Sequence, residues 1–377
     1  MRVAVIGHGS TIERENLDWA VEDTVFYTVQ KALKQSNLSI DEIDTVIQAG
    51  DDILDGMSIN HVLTVEPAGS FLKEESKVER DGAWAVHYAI ARLLSGKFKT
   101  AMVVAQSKGT QCGLSAFSGI SADPFYLRPV GVDATSAAAL QAGYFSSRTK
   151  ATEKDFAEVA RKNRKNGQQN DRVMKGEAGD YTVEQILKSK PVATPIRELN
   201  YGRVGDGCVV LILSTEDYAK KTQRNASYIT GAGFISDVYY PTYRDLSRVK
   251  SAEKAAEVAY KMAGISSHDV QFAEVHENYA HQEMMLYEAM GFCKDGEAVP
   301  YFKSGATQSN GALPVNQSGG VTCGHIIYAS GLARLMECHL QLTGQAGKGQ
   351  LKNVKRALAH SQAGLAMQAN IVYIMES

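Results

Sequence analysis

Two stretches of this chain enter a long apolar helix in the same way, and that repetition limits what the chain can fold into more than any other feature. Residues 79–96 read ERDGAWAVHYAIARLLSG, and residues 314–347 read PVNQSGGVTCGHIIYASGLARLMECHLQLTGQAG. Each has a polar or charged first turn, then small residues (Gly82, Ala83 and Ala85; Ala329, Ser330 and Gly331), then leucines and a glycine stop. A helix start gathers unpaired N–H groups and the positive end of the helix dipole. His325, at the glycine-rich entry, therefore stands where negative charge can be handled. The plainer reading of Gly319, Gly320 and Gly324 is a tight turn into a buried helix.

The repetition continues outside these helices. Residues 2–7 form a buried-strand pattern, 23–35 a helix and 43–49 a second strand; 227–237, 252–265 and 269–279 then give strand, helix and strand again. The connections match without gaps, Leu38-Ser39-x-x-x-Ile43 against Ile265-Ser266-x-x-x-Val270. Strands alternating with helices predict an α/β fold with a parallel or mixed sheet covered on both faces, and the matching order predicts an internal duplication. We expect halves at 1–222 and 223–377, with an inserted loop region at about 107–200.

A chain of 377 residues with 44% hydrophobic content can bury large cores. A formal charge of −2 points to neither nucleic acid nor an anionic membrane. No apolar run reaches the roughly 18–20 residues of a membrane span, and Met1 leads straight into a strand, so a cytoplasmic location is expected. The five cysteines show no C-x-x-C spacing, which argues against a metal site and a disulfide framework. The basic run RKNRKNGQQNDRVMK at 161–175 reads either as a solvated helix face or as a clamp for a phosphorylated ligand. Its basic residues are not interleaved with stacking aromatics, which argues against nucleic acid.

The order VNQSGG, GH, ASGLAR and QLTGQAG, with VHENYAHQEMMLYEAMGFCKDGEA upstream, resembles the carboxyl half of thiolases of the sterol-carrier-protein type. That family's pattern is roughly HDCF, then NPSGG, then GHPxGATG. The likeness extends to RVAVIGHGS at the start and VGDGCVVLILST in the middle. It implies a thiolase fold, with two duplicated α/β halves in five layers, αβαβα, around two central helices. It also implies coenzyme A as substrate or product with no covalently held cofactor, and a homodimer or hetero-oligomer. Chains of this divergent type are similar to steroid side-chain aldolases and to benzoylsuccinyl-CoA thiolase, which implies a small accessory partner combining a zinc ribbon and an OB fold.

Carried over residue by residue, the resemblance puts Glu79 where the family has its nucleophilic cysteine. A helix start favours a thiolate, but a carboxylate is a far weaker nucleophile toward a thioester. Glu79 is then a first-turn acid, or a carboxylate that orients water or a substrate hydroxyl. His276 matches the family histidine that helps hold the thioester oxygen, and His325 the one that moves protons. Asn278 stands where HDCF has its cysteine, and Tyr328 replaces a small residue, either as packing or as a proton donor or acceptor. Cys323 and Cys112 are buried small residues or a relocated nucleophile. Asn316, Ser318, Gly319 and Gly320, with Arg161, Arg164 and Lys165, are the residues expected to hold the coenzyme and its phosphates.

The expected activity makes or breaks a carbon–carbon bond beside an acyl-CoA carbonyl. Thiolysis of a 3-oxoacyl-CoA with a bulky or aromatic acyl group is one version. Retro-aldol cleavage of a 3-hydroxyacyl-CoA, which needs no thiol, is another. A non-catalytic thiolase-like scaffold is the reading from a different class.

Overall fold

The strands read as continuous apolar runs because both faces of each are buried. The computed structural model, which describes all residues except 1 and 17, shows where each face goes. The first half runs β1 (Val3–Glu13), α1 (Val21–Ser36), β2 (Thr45–Ala49), α2 (Asp52–Asp55), β3 (Glu74–Val78), α3 (Gly82–Leu94) and β4 (Thr100–Lys108). Helices α4 (Leu114–Ile120), α5 (Ala134–Thr149), α6 (Glu153–Gly167) and α7 (Val183–Leu187) follow, with short strands β5 (Pro191–Ala193) and β6 (Ile196–Arg197). Then come β7 (Asp206–Thr215) and α8 (Glu216–Lys221). The second half runs β8 (Ser227–Ser236), α9 (Lys250–Ala263), β9 (Phe272–Glu274), α10 (Ala280–Ala289), α11 (Ala298–Lys303), α12 (Ser330–Leu342), β10 (Arg356–Ala363) and β11 (Ala369–Glu376).

Side chains alternate between separate cores, as strand geometry demands. On β7, Val209, Leu211 and Leu213 point into a central core with α3 and α12, while Cys208, Val210 and Ile212 point into an outer core under α1. On β11, Ile371, Tyr373 and Met375 share that central core, while Val372 and Ile374 meet α9 and α10. The result is α1, a sheet, the pair α3 and α12, a second sheet, then α9 and α10: the five layers expected.

Strand order repeats too. The first half reads β3-β2-β4-β7-β1, and the second β9-β10-β11-β8, with Val315 bridged in parallel to Ala273 where a counterpart of β3 would lie. Antiparallel pairing of Val3–Val5 with Ser227–Ile229 joins the halves. In both, the outer helix rests on a glycine of the first strand. A methyl at Gly9 would meet Thr28 O at 2.6 Å, and one at Gly233 would meet Ala255 O at 2.0 Å. The two matched connections form the same capping box, Ser39 N on Glu42 Oε2 and Ser266 N on Asp269 Oδ2. Among the described residues, no helix is long and apolar enough to cross a membrane.

Candidate active site

The two central helices begin side by side, and a single buried carboxyl joins their starts. Asp81 caps α3, its Oδ1 accepting from Ala83 N and its Oδ2 from Gly331 N in α12, each at 2.9 Å. Tyr328 O accepts from Gly82 N at 2.7 Å. The open N–H groups expected to face a substrate oxyanion are therefore already occupied. Burial raises the Asp81 carboxyl from 3.8 to about 6, against the lowering effect of these bonds. The packing requires small residues: a methyl at Gly82 would meet Leu332 Cβ at 2.8 Å.

His276 follows β9, and His325 lies in the turn before α12. Their rings are 6.2 Å apart and edge to face. His276 Nδ1 is 3.1 Å from Ser361 Oγ on β10, and its Nε2 is 3.0 Å from Asn278 Oδ1. Its backbone is fixed from both sides, N–H on His360 Nδ1 at 3.3 Å and C=O accepting from Gln362 Nε2 at 2.7 Å. His325 Nδ1 is 3.0 Å from Ser330 Oγ. Burial, reinforced by Arg334, lowers His325 to about 4; burial, then His325 and His360, holds His276 well below 6.5. Both rings are neutral at neutral pH.

Tyr328 takes a left-handed backbone, φ 64°, an uncommon conformation for a bulky residue. Its hydroxyl donates to Asp51 Oδ2 at 2.8 Å, and Phe117 of α4 packs edge-on to its ring at 6.4 Å. Burial and then Asp51 raise its pKa, so it stays a phenol and can donate. The start of the inserted region, expected as loop, thus carries a short helix against Tyr328. Tyr279 faces Thr135 Oγ1 at 2.8 Å.

Several expected residues do other work. Glu79 precedes the helix instead of lying in its first turn. Its side chain is half-exposed, accepts from Asp52 N at 2.7 Å and pairs with Lys77 at 2.6 Å, while the acid at the helix mouth is Asp81. Cys323 is wholly buried with its thiol toward Asn163 O at 3.6 Å, and burial raises it to about 12. Cys112, after β4, is partly exposed, and its thiol is raised by burial and then by Asp51 and Asp55. Neither environment favours a thiolate.

The NQSGG turn spends its polar atoms inward. Asn316 Nδ2 donates to Glu277 and Glu283, each at 2.8 Å, and Ser318 bonds Glu274 through N and Oγ at 2.9 and 2.6 Å. Gly320, at φ 65°, leaves room for Glu277, whose Oε1 would be 2.2 Å from an added methyl. Gly319 similarly allows Gly167 and Cys323 to approach. These four residues build a buried scaffold beneath the histidines. Arg164 is 1% exposed and donates to Glu177 and to the carbonyls of Leu199 and Tyr201, which leaves it no access to a phosphate. Arg161 and Lys165 lie exposed on the outer side of α6, opposite the face that carries buried Lys162 and Asn163.

Asp81, Asp51 and Ser361 were not foreseen. Asp81 carried a signal, an acid immediately before a helix that starts on small residues; Asp51 and Ser361 acquire their meaning from segments far away in the chain. Among the described residues no three His, Cys, Asp or Glu side chains converge as a metal site.

Residues 235–377 match the family model described as thiolase C-terminal domain-like. An acetyl-CoA acetyltransferase of Methanothermobacter thermautotrophicus is 33% identical over 185 residues, 48% of each chain. Benzoylsuccinyl-CoA thiolase subunit BbsB of Thauera aromatica is 27% identical over 237 residues, 62% of this chain and 61% of that one. The chain spans about half the length of the curated relatives it matches. Among solved structures, the Ltp2-ChsH2(DUF35) aldolase superposes with a TM-score of 0.86 at 20% identity, covering 100% of this chain and 97% of that one. Human mitochondrial 3-ketoacyl-CoA thiolase gives 0.74 at 17%, covering 100% and 98%.

Proposed function

We propose that the chain is a divergent member of the thiolase superfamily, and that it cleaves or forms a carbon–carbon bond beside the carbonyl of an acyl-CoA thioester by aldol chemistry, without a cysteine nucleophile. One observation carries this reading: two neutral imidazoles face each other at the start of the central helices, while the thiols of Cys112 and Cys323 are held protonated. Retro-aldol cleavage of a 3-hydroxyacyl-CoA needs a base for the hydroxyl, a donor for the enolate and no thiol. His276 and His325 supply the base and the proton transfer, and the Tyr328 phenol is a further donor once its bond to Asp51 is released. A bulky or aromatic acyl group would have to lie away from Gly82 and Ala83, which are buried against α12 and β4. Arg161 and Lys165 are exposed basic side chains, as is Lys175 of the same segment, and are the proposed contacts for the coenzyme phosphates. A zinc-ribbon and OB-fold accessory protein is the proposed partner.

The test is to incubate the protein, alone and with such a partner, with a branched 3-hydroxyacyl-CoA and follow products and protein mass. The expected result is a shortened acyl-CoA and a carbonyl fragment with no acylated protein, and a fall in kcat of about 100-fold in His325→Ala. An acyl adduct on Cys112 or Cys323 that CoA discharges would replace this reading with thiolysis. No turnover of either kind, with CoA bound, would leave a scaffold.

A further inference from the structure

Which nitrogen of His276 carries the proton decides whether the ring gives or takes one at the reacting atoms. The ring is neutral, so it has one N–H to place. Nδ1 faces Ser361 Oγ, and behind Ser361 stands Asp81, only 3% exposed, its carboxyl close to the serine hydroxyl. Gly331 shows how close they are. A methyl there would lie 2.0 Å from Ser361 Oγ and 2.3 Å from Asp81 Oδ1.

An ionised carboxylate can only accept. A serine hydroxyl has one proton, so if Ser361 gives it to Asp81, the serine oxygen can only accept from Nδ1. We propose that Asp81, acting through Ser361, holds His276 in the Nδ1–H tautomer, leaving Nε2 with a lone pair as the proton acceptor of the site. Asp81 is then a positioning residue. Asn278 Oδ1 lies 3.0 Å from Nε2, and this state requires that amide to be turned over, which it is free to do because Nε2 is its one side-chain partner among the described residues. The amide can turn its NH2 toward a bare Nε2. His360 obeys the same logic in reverse. It accepts His276 N–H on Nδ1, so its proton sits on Nε2 and is given to Asn370 Oδ1 at 2.9 Å.

This inference rests on the aldol reading and gives it direction. A bare Nε2 takes the proton of a 3-hydroxyl; the C2–C3 bond breaks, and its electron pair becomes the thioester enolate as the carbonyl fragment leaves. The imidazolium then returns its proton to C2. No outside reagent is consumed. The opposite tautomer would present Nε2–H, suited to holding a thioester oxygen as in thiolysis.

The groups facing this relay are Tyr328 and Tyr373 around Asp81, with Glu79 acting on Tyr328, and His325, His360 and Arg334 around His276. Arg334 is already paired with Glu274 at 2.8 Å. When Asp81 gains a proton it becomes a donor, Ser361 turns to Nδ1, and the tautomer reverses. The active form is thus lost as pH falls through about 6, where burial sets the Asp81 carboxyl.

Nitrogen NMR of the full chain labelled with 15N-histidine tests this, with the His276 signals identified by their loss in His276→Gln. At about pH 8 the wild type should show Nδ1 protonated and Nε2 bare, reversing near pH 6; Ser361→Ala should show a mixed ring with no such transition. Asp81→Asn, whose amide can donate to Ser361, should show Nε2–H at every pH. In turnover, Ser361→Ala should lower kcat about 100-fold with KM little changed and lose the acid limb near pH 6. Nε2–H in the wild type at pH 8, or an unaltered tautomer in Ser361→Ala, overturns the proposal. Those spectra need no variant to be active: the expected tautomers without acyl-CoA turnover would sink the functional reading and leave the relay standing.

Discussion

Gly331 has no room for a side chain, and that single position tests how tightly Asp81 and Ser361 are joined. Gly331→Ala forces two oxygens away from contacts of 2.0 and 2.3 Å. Overpacking of this kind costs about 1–3 kcal/mol. The expected result in urea titration is a loss of that size, with activity falling further than stability explains. A variant with wild-type activity would show that the two oxygens can part freely. Glu79→Gln makes the opposite case. Glu79 is half-exposed in an ion pair with Lys77, so its removal should change stability by less than about 1 kcal/mol and turnover by less than about twofold. A hundredfold fall in kcat would return Glu79 to the site.

At the scale of elements, α12 is tied to β9 through Arg334 and Glu274, both almost fully buried, with Ser318 accepting from Arg334 at 2.7 Å. Removing one partner strands a buried charge, and such losses run to about 3–5 kcal/mol. Arg334→Met should therefore destabilise by about that much, and adding Glu274→Gln should recover much of it, as a double-mutant cycle by chemical denaturation would read. A simple sum of the two losses would mean that the pair is not coupled. The same pair sits under the turn that positions His325, so the first variant should also lower turnover.

Across the whole molecule, several histidines are buried and neutral. Burial lowers His325 and His360 to about 4 and His281 and His339 to about 3, against 6.5 for the open ring. A lowered folded value means the unfolded chain binds more protons, so their contribution is complete above pH 6.5 and is lost as pH falls toward 4. Each such ring should cost about 2 kcal/mol by pH 5. Asp81 works the other way: its raised value makes its contribution largest below 3.8 and reduces it as pH rises through about 6. The histidines outnumber it, so melting temperature should fall steadily below pH 6.5; a flat profile between 6.5 and 5 would contradict their burial. The outermost strand β3, with Phe71 and Leu72 exposed just before it, leaves an edge that proteins normally cover. An oligomer at micromolar concentration is expected by light scattering, and a monomer would count against it.

The sequence by itself determined the repeated unit, because the periods of strands and helices and the capping boxes at Ser39 and Ser266 are local and depend on residues a few positions apart. The resemblance to thiolases marked His276, His325 and Tyr328, and His325 was marked also by its place in a glycine-rich helix entry. What it could not settle was which polar groups meet. Asp81 reaches Gly331 across 250 positions, His276 reaches Ser361 across 85 and Tyr328 reaches Asp51 across 277. Nor could it tell that the NQSGG turn faces inward. Direction of a side chain in a loop has no period to read, and a buried hydrogen bond is decided only when distant segments pack together and leave each donor no water to choose instead.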